Sequence, residues 1–211
     1  MNVTTNTFCA GGTSLGDGRW INVGGNIGVT TGGASGGGAG SSPPYYGGPP
    51  YYDYDGGFAV RLLSPCDDSS CQWFDDPANY LKSRRWYPTV EPLEDGSVII
   101  IGGDMWGGYV NAGELVPRPA YLAYRVMSTS PPLSFSFLSR FAEYQNNPTY
   151  EFFPSRGDRI TLQLLQNTLP ANLYPLTWLL PSGNLLIQAN WGTALFDYKK
   201  QMQTLLSNIP S

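Results

Sequence analysis

The stretch LEDGSVIIIGG at residues 93–103 decides the fold of this chain. Its Asp-Gly dipeptide favours a tight turn between two β-strands, and the apolar run that follows is the second strand. The pattern occurs twice more, as LGDGRWINVGG at residues 15–25 and as LPSGNLLIQAN at residues 180–190. In the first two copies along the chain, a Gly-Gly pair follows the second strand, where glycine permits a sharp bend. Three copies of one hairpin pattern predict an all-β protein made of similar units.

Further apolar runs extend two of these hairpins into larger units. Residues 58–63 and 72–74 follow the first hairpin, and residues 193–198 and 204–206 follow the third. Four strands per unit, with Gly-Gly closing the second strand, is the pattern of a kelch blade in a β-propeller. Because kelch units run about 50 residues, we predict a kelch-type propeller of which this chain holds about three four-stranded blades.

Two inserts lengthen the spacing between the hairpins. Residues 32–57 contain ten Gly, four Pro and five Tyr, which predicts a loop that is too rich in glycine to become ordered at low entropic cost. A Tyr-rich interaction segment is the alternative for this insert. Residues 112–144 form an irregular second insert that matches no part of the repeat. We treat residues 1–211 as one partial propeller domain that carries both inserts.

Composition and charge exclude several classes of function. The 211 residues hold 12 Lys and Arg against 16 Asp and Glu, for a net charge of −4. The few basic residues are scattered, so we expect no nucleic-acid partner. No apolar run approaches ~18 residues, so we expect no membrane span, and residues 1–7 lack the pattern of a signal peptide. The chain has no His, which removes imidazole as a base or metal ligand within it.

The three cysteines divide into a pair and a single residue. Cys66 and Cys71 are five positions apart, a spacing that a small-loop disulfide can close. Cys9 is left over, and an odd thiol in a secreted chain is either reactive or put to a special use.

Cys9 and Tyr87 occupy matching positions in two successive units. Cys9 lies in the opening strand of the first unit, and Tyr87 lies in the opening strand of the second. The opening strands of neighbouring blades lie side by side along a propeller axis, so the two residues are able to meet. The ordinary interpretation of the residue types alone is a buried Cys and a buried Tyr.

Several segments, taken in order, resemble the N-terminal part of glyoxal oxidase, in the galactose oxidase group of copper-radical oxidases. They are residues 6–12, 65–66, 71–73, 85–90, 95–103, 147–154 and 173–175. Together they cover most of the chain outside the two inserts. The family's propeller has seven blades, so the resemblance implies that about three of them are present here.

The resemblance also implies a cofactor and a reaction. Cys9 and Tyr87 match the pair that forms a thioether-linked tyrosine, which binds copper and carries a radical. Copper and radical together accept two electrons from a small aldehyde or a primary alcohol, and O2 then becomes H2O2. Glyoxal-oxidase-like members make carboxylic acids from aldehydes, and the family is typically extracellular. Trp106 is a candidate for stacking on the linked Tyr, as a Trp does in galactose oxidase.

The chain departs from the family's copper site. That site also uses an axial Tyr and two His, all from later blades, whereas this chain supplies Tyr87 at most. We therefore expect the chain by itself to bind no copper and to be inactive, as the N-terminal portion of an oxidase whose other ligands lie downstream. The alternative is a non-catalytic propeller fragment or binding module in which Cys9 is a free thiol.

Overall fold

The computed structural model describes residues 3–30, 47–105, 146–169 and 172–208. These residues form three four-stranded antiparallel sheets. Their only helices are a 3-10 turn at Pro77–Asn79 and the short helix α1 at Gln163–Asn167. The predicted all-β class is confirmed. The insert at residues 112–144 lies outside the described residues, and so does most of the insert at residues 32–57.

Each sheet uses four strands that are consecutive in the chain, and each strand pairs with the next. The first sheet consists of β1 (Gly11–Ser14), β2 (Trp20–Val23), β3 (Val60–Leu63) and β4 (Trp73–Asp75). The second consists of β5 (Thr89–Pro92), β6 (Val98–Ile101), β7 (Thr149–Phe153) and β8 (Ile160–Thr161). The third consists of β9 (Leu176–Leu179), β10 (Leu185–Ala189), β11 (Gly192–Asp197) and β12 (Met202–Leu205).

The three hairpins found in the sequence join the first two strands of each sheet. Their turns place Gly18, Gly96 and Gly183 at φ values of 86°, 81° and 81°, a region that glycine enters without a steric penalty. The backbone then folds each second strand back along the first, in the antiparallel register. The hairpin is thus the local unit from which each sheet grows.

The second sheet lies between the other two, and a hydrophobic core fills each interface. The core against the first sheet consists of Leu15, Ile21, Val23, Val60, Leu62, Leu81, Val90, Val98, Ile100 and Phe153. The core against the third sheet includes Leu93, Ile99, Ile101, Tyr150, Leu162, Leu164, Leu165, Leu185, Ile187, Ala189, Ala194, Phe196 and Tyr198. Because strand side chains alternate between faces, β6 supplies Val98 and Ile100 to one core and Ile99 and Ile101 to the other.

The opening strands β1, β5 and β9 run beside one another across the stack, since β5 contacts β1 on one side and β9 on the other. The architecture established here is three stacked four-stranded sheets, and the propeller stays a prediction. In the described part of the chain, no helix has the length and apolar character needed to cross a bilayer.

Candidate functional site

Cys9, Tyr87 and Tyr174 form a row at one end of the three sheets. Each of them lies two residues before the opening strand of its sheet, so Cys9 and Tyr87 precede the strands in which they were predicted to lie. The backbone N–H of Tyr87 donates to the carbonyl of Cys9 at 2.9 Å, and the N–H of Tyr174 donates to the carbonyl of Tyr87 at 2.8 Å. Two backbone hydrogen bonds therefore tie the three residues together across three sheets, and Cys9 and Tyr87 are direct neighbours.

All three residues of the row adopt a left-handed backbone. Their φ values are 58° for Cys9, 60° for Tyr87 and 43° for Tyr174. A residue with a Cβ atom loses about 1–2 kcal/mol in this region, whereas glycine does not. Such outliers persist where the surroundings enforce them, and they concentrate at functional sites. Glycine would occupy all three positions at a lower cost. The presence of Cys and Tyr there indicates that these side chains have a function.

A buried arginine fixes the segment that leads to Cys9. Arg61 on β3 is fully buried and donates to the hydroxyl of Thr5 at 2.6 Å and to the carbonyl of Asn6 at 3.2 Å. Burial lowers the pKa of Arg61 to about 10, so the guanidinium stays charged at neutral pH. The amide oxygen of Asn6 then accepts from the N–H of Phe8 at 2.8 Å. The backbone up to Cys9 is thereby anchored to the first sheet.

A second buried arginine fixes the segment that leads to Tyr87. Arg85 is fully buried, and its Nε donates to Glu151 Oε1 on β7 at 2.9 Å. Its Nη1 also donates to the carbonyl of Gly102 at 2.8 Å. Burial lowers the pKa of Arg85, and the neighbouring Glu151 carboxylate acts in the opposite direction. The carbonyl of Arg85 accepts from Gly25 at 2.9 Å, which joins this segment to the first sheet.

Two aromatic rings flank Tyr87. The ring of Trp86 lies edge-on, with centroids 4.3 Å apart and planes at 85°. The ring of Tyr174 also contacts it edge-on, at 4.8 Å and 67°. Edge-to-face pairs are favourable because the positive edge of one ring meets the negative face of the other. The orientation of the Tyr87 ring is therefore constrained from two sides.

Tyr174 is the member of this row to which the sequence analysis assigned no role. Its segment reads Tyr-Pro, as does the segment at Tyr87 and Pro88. The signal that would have found it is position: a Tyr-Pro pair directly before the opening strand of a repeated hairpin. Trp106, the predicted stacking residue, lies outside the described residues, so its role stays a prediction.

Cys66 and Cys71 are joined in a disulfide between β3 and β4, with Cα atoms 5.7 Å apart. This separation lies within the range that a disulfide requires. Cys9 remains the free thiol of the chain, and it is half-buried. The odd cysteine is thus the one that lies beside Tyr87.

The donor set does not fit copper. Among residues 3–30, 47–105, 146–169 and 172–208, no three His, Cys, Asp or Glu side chains come together to hold a metal ion. The whole chain has no His, and copper(II) in proteins favours imidazole nitrogen. The described residues therefore bring Cys9 and Tyr87 together without a cluster of three His, Cys, Asp or Glu side chains around them.

Comparison with known proteins gives this geometry a context. Residues 51–126 match the model of the family described as "Glyoxal oxidase N-terminus". The chain resembles the N-terminal region of glyoxal oxidase. An aldehyde oxidase GLOX of Vitis pseudoreticulata is 26% identical over 202 residues, which cover 94% of this chain and 26% of that protein.

Two further relatives extend this resemblance. Aldehyde oxidase GLOX1 of Arabidopsis thaliana is 29% identical over 199 residues, which cover 94% of this glyoxal-oxidase-like chain and 22% of the relative. A WSC domain-containing protein of Arthroderma benhamiae is 29% identical over 215 residues, covering 100% of this chain and 17% of that protein. The chain thus spans between 17% and 26% of the length of the curated relatives it matches.

Proposed function

We propose that this glyoxal-oxidase-like chain is the N-terminal portion of a copper-radical oxidase, in which Cys9 and Tyr87 form the cross-linked radical cofactor. The observation that carries the proposal is the backbone hydrogen bond from Tyr87 to Cys9 at 2.9 Å, which makes neighbours of two residues 78 positions apart. The half-burial of both residues and their left-handed backbones support it.

The cross-link joins the Cys9 sulfur to the ring carbon ortho to the Tyr87 hydroxyl. The thiol and that ring carbon each lose one hydrogen, and the two electrons and two protons pass to dioxygen. The sulfur substituent lowers the oxidation potential of the phenol, which makes a tyrosyl radical accessible. In the whole protein, a small aldehyde, as its hydrate, would be oxidised to a carboxylic acid while O2 is reduced to H2O2; a primary alcohol is the second substrate class.

The remaining copper ligands must come from outside this chain, since Tyr87 is its one matching donor. We propose that the three sheets are three blades of a seven-bladed kelch-type propeller and that residues 1–211 form part of that domain. We also propose that the whole protein is extracellular. The stacking of the opening strands β1, β5 and β9 supports the blade arrangement. The isolated chain is expected to be inactive.

A copper titration of the purified chain tests the ligand argument. Copper(II) added in steps, with calorimetric detection, should reveal no stoichiometric tight site, because one phenol offers no chelation and no imidazole is present. Tight binding of one copper that persists in Cys9→Ser and in Cys66→Ser would contradict this expectation.

The cofactor proposal is tested in the longest natural protein that contains this chain, loaded with copper in air. Peptide mapping should find the Cys9 and Tyr87 peptides joined, with two hydrogens lost, and H2O2 should form with glyoxal. Tyr87→Phe should abolish both results. Tyr150→Phe is the matched control, because the Tyr150 hydroxyl has no hydrogen-bond partner among the described residues and lies in the core away from the row.

One observation favours a second candidate, a non-catalytic propeller fragment or binding module. A chain without any His lacks the residue that copper oxidase chemistry most requires. In that case Cys9 would be recovered as a free thiol from the copper-treated long protein, and no H2O2 would form with aldehydes or primary alcohols.

A further inference from the structure

Tyr174 reaches from the third sheet across the second to the first. Its backbone N–H donates to the Tyr87 carbonyl at 2.8 Å, and its ring packs edge-on against the Tyr87 ring at 4.8 Å. Its hydroxyl donates to the carbonyl of Ala10 at 3.3 Å, and Ala10 directly follows Cys9. One side chain therefore contacts both segments that carry the Cys–Tyr pair.

The phenol of Tyr174 also lies within electrostatic reach of the Cys9 thiol. Burial raises the pKa of Tyr174, and the electrostatic interaction with the neighbouring Cys9 raises it further. Tyr174 thus stays a neutral hydrogen-bond donor at neutral pH. A neutral donor beside the thiol holds the Ala10 carbonyl without adding a charge to the site.

The backbone and exposure of Tyr174 argue against a role in the core. Its side chain is 40% exposed, so truncation leaves no closed cavity. Its φ of 43° lies in the region that glycine prefers, so a Tyr here carries backbone strain that only glycine would relieve. A residue retained mainly for packing would not combine strain with exposure at this point.

We infer that Tyr174 is a positioning residue of this site, which holds the Tyr87 ring in place and covers the Cys9 sulfur from the side of the third sheet. Its edge contact constrains the rotation of the Tyr87 ring, and its hydroxyl ties the Cys9 segment to the same ring pair. The consequence for cross-link formation rests on the proposed function, whereas the placement beside Cys9 does not.

Thiol labelling of the 211-residue chain tests the placement without copper. Because Cys66 and Cys71 are joined, a small maleimide labels Cys9 alone. Tyr174→Leu should speed labelling severalfold, because the ring and hydroxyl are both lost. Tyr174→Phe should speed it less, because the ring remains. Trp178→Leu is the matched control: it removes an aromatic ring of similar exposure from β9, the strand that follows Tyr174, and should leave the rate unchanged.

The effect of Tyr174 on cross-link formation is tested in the copper-loaded, longest natural protein that contains this chain. Tyr174→Leu should slow the appearance of the joined Cys9–Tyr87 peptide, and Tyr174→Phe should restore most of the rate. Labelling rates that match wild type in both Tyr174 variants would overturn the positioning role, whatever the copper result. A wild-type protein that never forms the link would refute the proposed function, while faster labelling in Tyr174→Leu would still support the placement. Circular dichroism of each variant verifies that it is folded.

Discussion

The second and third sheets share one topology and differ in how many of their faces are covered. All four residues of β6 in the second sheet are buried, and they read Val-Ile-Ile-Ile. In the third sheet, β10 alternates between buried and half-buried residues and reads Leu-Leu-Ile-Gln-Ala. Sheets packed on both faces read as continuous apolar runs, whereas a sheet covered on one face alternates. The compositions of β6 and β10 therefore reflect the number of layers around each of these two strands.

The same difference extends to charged residues. The second sheet holds the ion pair of Arg85 and Glu151, at 2.9 Å, with side chains that are 0% and 4% exposed. The ion pair at the edge of the third sheet joins Lys199 to Glu94, and both of those side chains are about half exposed. A charge that is buried between two layers has lost its hydration and needs an oppositely charged partner, whereas a charge at the surface remains hydrated.

The largest expected effect comes from breaking the buried pair. Glu151→Ala leaves the Arg85 guanidinium buried without its carboxylate, and it also removes the acceptor for the N–H of Lys82. We expect a loss of about 3–5 kcal/mol in the free energy of unfolding, measured by urea denaturation. Lys199→Ala should give no measurable loss. Similar losses in both variants would contradict the difference between the two sheets.

Truncation of an apolar residue in each sheet should give the next largest difference. Ile100→Ala removes a fully buried side chain from between two layers and should lower the free energy of unfolding by about 2–5 kcal/mol. Leu186→Ala, on the half-exposed face of β10, should lower it by about 1 kcal/mol because less area leaves water on folding. If Leu186→Ala were as costly as Ile100→Ala, the third sheet would be covered on both faces.

The open face of the third sheet should promote self-association of the chain. Leu176 and Trp178 on β9 are 53% and 46% exposed. Trp178→Lys should raise the concentration at which the chain associates, seen by light scattering, while changing the free energy of unfolding by less than about 0.5 kcal/mol. Ser64→Lys adds the same charge at an exposed position away from this face and controls for net charge. Equal improvement in both variants would assign the effect to charge alone.

The smallest expected effect concerns the hairpin turns. The Ser97 hydroxyl donates to Asp95 and lowers the pKa of that carboxyl in the second sheet, whereas the third sheet has Ser182 at the equivalent turn. A lowered folded-state pKa gives stability that is present above the unfolded value near 3.8 and is lost as the pH falls through the folded value. Asp95→Asn should therefore flatten the loss of stability below about pH 4, and Ser182→Ala should leave it unchanged. Urea denaturation at several pH values between 2 and 7 measures both, and an unchanged slope in Asp95→Asn would contradict this role.

Most of the sheet architecture could be predicted from local signals. The three Asp-Gly or Ser-Gly turns mark the hairpins, and the later strands of the first and third sheets lie within the predicted runs or overlap them. The sequence pattern did not predict the third and fourth strands of the second sheet, β7 and β8. A long insert separates β6 from β7, and β7 carries Glu151 in its buried middle, where no alternating pattern marks it as a strand.

The candidate site, like the sheets, could be predicted from the sequence only in part. The resemblance to a known family selected Cys9 and Tyr87, because their residue types alone favour an ordinary buried Cys and a buried Tyr. In the structure, each of them precedes the opening strand of a repeated hairpin. Tyr174 satisfied the same rule of position, yet its role depends on a ring contact and a hydroxyl bond that no spacing encodes.

The sequence by itself determined the all-β class, the repeated hairpins and the identity of the odd thiol, because turns, strand periodicity and cysteine spacing are local properties. Only the tertiary structure decided that Cys9, Tyr87 and Tyr174 form one row, and that two buried arginines, Arg61 and Arg85, hold the first two of them there. The physical reason is that all these contacts join residues that are far apart in the chain. The row crosses three sheets and each arginine acts within one sheet, so the partners are set by how strands and sheets pack and not by local sequence.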